Sequence, residues 1–215
     1  MVDIPKFNGT GMALAREVSE WVNAQLSPTQ MTVVGLLRLG SRTPMQVLER
    51  GKFAPILGCY DKSIIIASIM KDHGYDSRII LQQVLSEGKP ISCHFAVDAK
   101  RDAERIGIDP HPFRTDFYPN GVPENVPGKM TSPFEGKQEV VYRKVKEHQV
   151  NGNHWNTPGY KLAGLRTGLG VLTAAGVPKV TFAKFAWGRI KGPKNKSVKK
   201  GSLSERAARV AQRKK

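Results

Sequence analysis

The chain is poor in cysteine, in acidic residues and in long apolar runs, and each shortage narrows what it can be. Two cysteines, Cys59 and Cys93, in 215 residues are too few to staple a secreted disulfide scaffold. Each is open to being a reactive thiol or plain core packing, and a disulfide between them is disfavoured because it needs Cys93 on the strand face assigned below to His94. There is no Cys-x-x-Cys and no His-Glu-x-x-His, and the five histidines, His73, His94, His111, His148 and His154, are scattered. A zinc centre therefore ranks below both thiol readings, and no metal or other cofactor is expected. No apolar run approaches the ~20 residues of a membrane helix. The N-terminal Met1 to Lys6 lacks the charged-then-apolar layout of a signal peptide, so a cytoplasmic location without a transmembrane segment is the expectation.

Acidic residues number 18 against 34 Lys and Arg, a formal net charge of +16. The excess is concentrated at one end: Lys184 to Lys215 holds 12 basic residues and one acid, +11, against +5 for the remainder. From Pro193 onward the chain is low in apolar residues and is expected to be disordered, with a short basic helix between Ser204 and Arg213. Such a tail suits salt-sensitive, sequence-blind contact with nucleic acid or another anionic surface, or serves solubility alone. With 40% apolar and 24% charged residues overall, the rest of the chain has the composition of an ordinary folded domain.

What is present begins with helix signals. Met12, Leu14, Ala15, Val18, Trp21, Val22 and Leu26 recur at three- and four-residue steps, predicting an amphipathic helix from Gly11 that ends near Pro28. Thr43-Pro44 with Gln46 predicts a capping box with proline in the first turn, and Gly51 supplies the stop. Gly58-Cys59-Tyr60-Asp61 opens a third helix closed by Gly74, apolar nearly all round and so expected to be central and buried. Arg78 to Leu85 and Ile91 to Asp98 read as strands joined by Ser86 to Pro90, a hairpin directly after the helix.

Beyond His111 the chain is rich in Pro, Gly and Asn, so long loops are expected, with one later strand around Glu139 to Val145. The glycine-rich Gly164 to Val171 follows no evident strand and reads as packing rather than as a phosphate loop. Val180 to Trp187 reads as a final core strand, with membrane-surface contact as the alternative. The organisation is then an N-terminal helical segment over 1–40, the main domain with a loop-rich C-terminal extension over 41–190, and the basic tail over 191–215.

Chemistry gathers around Cys59. A cysteine at the start of a buried helix meets unsatisfied N–H groups and the positive end of the helix dipole, which favour thiolate and can hold an oxyanion. Asp61 works partly against this, and helix-end stabilisation is its expected role. The two-residue period of Ile91 to Asp98 puts Ile91, Cys93, Phe95 and Val97 on an apolar face and Ser92, His94, Ala96 and Asp98 on the other. Cys93 is then core packing, and His94 is placed to take a proton from a thiol.

A third group must orient the imidazole. Asp98 lies four residues along the strand, ~13 Å away and out of reach. If the chain reverses around Arg101-Asp102, positions whose numbers sum to about 203 face one another, pairing Ala96 with Gly107 and His94 with Asp109 at a Cβ separation of ~5 Å. His111, between Pro110 and Pro112, reads as a loop residue.

Gly58-Cys59-Tyr60-Asp61-Lys62-Ser63 and its apolar helix, then His73-Gly74-Tyr75-Asp76-Ser77-Arg78 and a strand, resemble the core of transglutaminase-like proteins. His94 on the next strand and Asp109-Pro110 are similar to that family's later His and Asp-Pro elements. Thr43-Pro44 to Gly51 resembles its helix before the cysteine. The likeness spans about Ser41 to Pro110, and Phe95-Ala96 stands where the family often has a Trp after the histidine. The resemblance implies an α+β, papain-like core in which the cysteine helix packs on an antiparallel sheet. It also implies acyl transfer by a Cys59, His94, Asp109 triad on a peptide or protein amide, without choosing between hydrolysis and transamidation. Tyr60 and Trp155 are the candidate substrate-binding residues. The rival expectation is an inactive domain of the same fold that binds nucleic acid or acts as a scaffold through its basic tail.

Overall fold

The computed structural model describes residues 2–28, 40–53, 58–111, 115–132 and 136–166, together with Gly176. The expected strand over 180–187, the basic tail and the glycine-rich stretch beyond Arg166 lie outside the described residues. Among the described residues no helix is long and apolar enough to cross a membrane.

The architecture is α+β. Helix α1 (Gly11–Gln25) buries Leu14, Ala15, Val18 and Val22, the stripe that its three- and four-residue spacing predicts. Strand β1 (Ser27–Pro28) pairs in parallel with β2 (Lys52–Phe53). Between them α2 (Pro44–Arg50) opens on the expected capping box. Thr43 Oγ1 accepts from the Gln46 backbone N–H, Gln46 Oε1 accepts in return from the Thr43 N–H, and Gly51 closes the helix at φ +59°.

Helix α3 (Gly58–Asp72) is buried from Gly58 through Met70, as its all-round apolar sequence predicts. Its Ile64, Ile65, Ile69 and Met70 share one core with α1 and with Ile79, Leu81, Phe95, Val97 and Ile106 of the sheet.

Strands β3 (Asp76–Ser86), β4 (Lys89–Arg101), β5 (Glu104–Pro110), β6 (Thr115–Tyr118), β7 (Asn125–Ser132) and β8 (Gly136–Gln149) form one antiparallel sheet in the order β6-β5-β4-β3-β8-β7. A short 3₁₀ turn (His154–Asn156) and α4 (Gly159–Leu162) follow.

Four expectations are corrected here. Among the described residues after His111 there are three strands where one was expected, and the later one extends from Gly136 to Gln149. The sheet edge formed by β7 tolerates Pro127 and Gly128, residues that argue against a strand in sequence but are admissible where one side of the ladder is free. The β3–β4 connection is only Glu87-Gly88, both at positive φ (50° and 74°), the conformation of a tight primed turn. Ile91 does not share the Cys93 face. A register shift at Val84/Leu85 makes it the extra residue of a bulge, and it packs instead with Val84, Val140 and Tyr142.

The β4–β5 register is also displaced: Val97 faces Ile108 and Arg101 faces Glu104. The turn is Asp102-Ala103, one step later than expected, because Asp102 adopts φ +55°, a conformation aspartate tolerates. His94 and Asp109 are therefore diagonal rather than directly opposed neighbours.

Candidate functional site

Cys59 sits at the second position of α3, and the sequence places it there for steric reasons. A Cβ on Gly58 would meet the Phe53 ring at 2.5 Å, so only glycine lets the chain enter the helix flush against that ring. Cys59 is 5% exposed, His94 5% and Asp109 0%. One turn on, Ser63 Oγ donates to the Phe95 carbonyl at 3.2 Å, tying the cysteine helix to the strand beside His94.

His94 Nε2 donates a very short hydrogen bond to Asp109 Oδ1, and the diagonal separation is within reach of an imidazole and a carboxylate. The Cys59 thiol is near enough to the same imidazole to act on its pKa. With Nε2 taken by Asp109, the nitrogen left for the thiol is Nδ1. The three residues anticipated from sequence as a triad are thus brought together in the order Cys59, His94, Asp109.

Electrostatics match the geometry. Burial alone would lower the His94 pKa, but the charges of Asp109 and Cys59, and the hydrogen bond to Asp109, hold the imidazole well above its usual value. Burial would raise Asp109, yet His94 and His111 hold its carboxyl well below the usual carboxylate range. Cys93 is pushed up by burial first and then by the charge of Cys59, which fits a core thiol rather than a nucleophile. Both cysteines are free, without a disulfide.

Asp61 is buried and paired with Arg42 at 2.5 Å, so its charge is compensated away from the thiol. Asp98 pairs with Arg105 at 2.5 Å and takes no part in orienting His94.

The two candidate substrate contacts lie elsewhere. Tyr60 turns into the core, 1% exposed, with its ring edge-on to Phe95 at 4.7 Å, because the residue after Cys59 faces the sheet. Trp155 hydrogen-bonds Asp72 at 2.7 Å, at the far end of α3 from Cys59. Thirteen residues of helix separate the two ends by ~20 Å.

Residues not foreseen complete the site. The His111 ring stacks on that of His94 with centroids 4.8 Å apart and planes at 22°. Its Nε2 lies 3.5 Å from Asp109 Oδ2, too long for a hydrogen bond. Asp109 Oδ2 is therefore buried without a hydrogen-bond donor among the described residues. Lys62, three residues after Cys59, is buried with its ammonium donating to Asn23 Oδ1 at 2.6 Å and to the His111 carbonyl at 3.2 Å. Burial lowers its pKa while the charge of Cys59 raises it. Tyr142 meets His94 edge-on at 5.0 Å. Gln82, directly opposite His94 in the β3–β4 ladder, is fully buried with both amide atoms unpartnered among the described residues.

Two of these carried a readable signal. His111 is two residues from Asp109, hence on the same face of an extended strand, and Lys62 is the basic residue beside Asp61 just before the apolar run of the helix.

Compared with protein-family models, with curated proteins and with solved structures, the chain matches none.

Proposed function

We propose that this protein is a thiol-dependent acyl-transfer enzyme, a peptidase or amidase or a transglutaminase-like enzyme, built on a papain-like core. The observation that carries the reading is one buried imidazole hydrogen-bonded to a buried aspartate, with a helix-initial cysteine near enough to raise its pKa.

In the proposed reaction the Cys59 sulfur bonds to the carbonyl carbon of an amide while its proton passes to His94 Nδ1. The carbonyl electrons move onto oxygen, and the N–H groups at the start of α3 stabilise that charge. The C–N bond then breaks, His94 returns the proton to the leaving amine, and a thioester remains on Cys59. Water releases an acid, and an amine releases a new amide. Asp109 orients His94 and stabilises the imidazolium throughout. A His94 pKa above the usual imidazole value keeps a proton on the ring ready for the leaving group.

The test is labelling with a thiol-directed acyl trap, read by intact mass. Cys59→Ala should abolish the adduct and His94→Ala should slow it; an adduct rate indifferent to both changes refutes the reading. The charge of +11 carried by Lys184 to Lys215 favours a second reading, a catalytically inactive domain that binds nucleic acid through this tail. Deleting everything after Lys191 should then abolish a salt-dependent nucleic-acid shift, and absence of a shift with the intact chain discards it.

A further inference from the structure

Two carboxylates face one another across the β5–β6 ladder: Asp109 is directly paired with Asp116. Like charges in that position destabilise a sheet. His111 Nε2 lies close to both, 3.5 Å from Asp109 Oδ2 and 3.6 Å from Asp116 Oδ2. The His94 ring is stacked against that of His111, and ligand atoms of His94, Asp109 and His111 all lie within 4.8 Å of one another. Asp109 Oδ2, buried and without a hydrogen-bond donor among the described residues, belongs to this same group.

We infer that His94, His111, Asp109 and Asp116 form a site for a divalent transition metal of the zinc class, and that its occupation switches off the thiol at Cys59. The second half rests on the proposed thiol chemistry; the first does not. Bonds of ~2.0–2.1 Å in a tetrahedral zinc site place neighbouring ligand atoms roughly 3.3–3.4 Å apart. The two His111-to-carboxylate separations are within a few tenths of an ångström of that spacing. Two imidazoles with carboxylate oxygens suit zinc or its neighbours better than calcium or magnesium, which prefer oxygen alone. Asp116, with its side chain 38% exposed, gives the ion a route from solvent.

Inhibition follows from proton bookkeeping on one ring. A metal on His94 Nε2 replaces the proton that Asp109 accepts, and a neutral metal-bound imidazole carries its remaining proton on Nδ1. That nitrogen faces Cys59 and can no longer take the thiol proton. Metal binding and acyl transfer then compete for the same histidine.

The experiment uses the full chain stripped with a chelator. Zn²⁺ titrated by calorimetry should bind in one equivalent. His111→Gln and Asp116→Asn should each weaken binding at least about tenfold, the loss commonly seen for removal of an outer-shell partner alone. Asp116→Asn, a change at a partly exposed position, guards against a variant that simply fails to fold. Cys59→Ala should bind Zn²⁺ as the parent does, and Co²⁺ in the parent should show no sulfur-to-metal charge-transfer band. Zn²⁺ should slow acyl-trap labelling of Cys59 in proportion to occupancy, with chelator restoring it.

Absence of saturable Zn²⁺ binding, binding indifferent to both variants, or a sulfur-to-cobalt band overturns the site. Labelling that proceeds unchanged with metal bound overturns the switch. Binding that behaves as expected in a chain whose metal-free Cys59 never labels refutes the thiol reading while leaving the metal site standing.

Discussion

The His94–Asp109 pair makes a prediction that needs no substrate: stability should depend on pH with a defined sign on each side. His94 is held above its unfolded value, so its contribution is complete below the ordinary imidazole pKa of about 6.5 and is lost as pH rises through the folded value. Asp109 is held below its unfolded value, so its contribution is complete above about pH 4 and is lost as pH falls. Stability from the pair is therefore greatest between roughly pH 4 and 6.5.

The measurement is best made in Cys59→Ala, where the thiol exchanges no proton with His94 and Asp109 remains to hold the imidazole up. One proton retained by the fold and absent from the unfolded chain costs up to about 1.4 kcal/mol per pH unit. Because the unfolded imidazole is half protonated at about pH 6.5, the fall between pH 6.5 and 8.5 is at most about 2 kcal/mol, a drop of up to roughly 1 M in a urea midpoint if the slope is about 2 kcal/mol per M. Cys93, pushed up by burial, adds its own alkaline loss only above about pH 8.5. Adding His94→Gln to Cys59→Ala should flatten the neutral-to-alkaline limb, and the difference between the two curves isolates His94 from every other titrating group. A Cys59→Ala chain equally stable at pH 6.5 and 8.5 would refute the claim that Asp109 holds a proton on His94.

Three further outcomes can be checked directly. Asp109→Asn should lower the rate of Cys59 acyl-trap labelling by up to about 10⁴ while leaving far-ultraviolet circular dichroism intact, because it removes the charge that fixes the imidazole tautomer. Gly58→Ala should destabilise by about 1–3 kcal/mol in urea denaturation through collision with the Phe53 ring, and Phe53→Leu in the same chain should recover part of the loss. Gln82→Leu, which removes a fully buried amide without partners among the described residues, should raise stability by about 1–2 kcal/mol, and a loss of that size refutes the reading of this amide as unsatisfied.

What could be read from sequence was what is written within a few residues. Thr43, Pro44, Gln46 and Gly51 specify α2 completely, since each acts on backbone groups no more than four positions away. The cysteine helix was legible because its apolar content runs all round it. The register of β4 on β5 was less so. It turns on whether one residue, Asp102, takes a positive φ, and moving the turn by one position shifts every pair by two in their sum. The His94–Asp109 contact survived this displacement because both residues keep the same strand face and a diagonal neighbour is still within reach. Strands β6 and β7 were hidden for a different reason: edge strands pair on one side only, so their sequences need not alternate strictly or avoid proline. His111 was hidden by Pro110 and Pro112, which suggest a loop although Pro110 is itself the last residue of β5.

Cys59 and His94 should not meet if the sheet were continuous. Helix α3 packs with Phe95 and Val97 on one face, whereas Ala96, two residues from His94, packs with Ile80 and Val122 in a separate cluster on the other. The β4–β5 ladder resolves this by ending at Val97 and Ile108, before it reaches His94. Beyond that last pair, the Phe95 carbonyl accepts from Ser63 of the cysteine helix. Asp109 and His111 continue past the same point, where His111 turns its ring onto His94 and offers its carbonyl to Lys62. The opening between β4 and β5 thus lets a thiol carried on the apolar side reach an imidazole and a carboxylate on the polar side. Each bond that spans the opening comes from a residue within four positions of Cys59 on the helix or of Asp109 on the strand. Zipping β4 and β5 two residues further would separate sulfur from imidazole without altering a single residue of the triad.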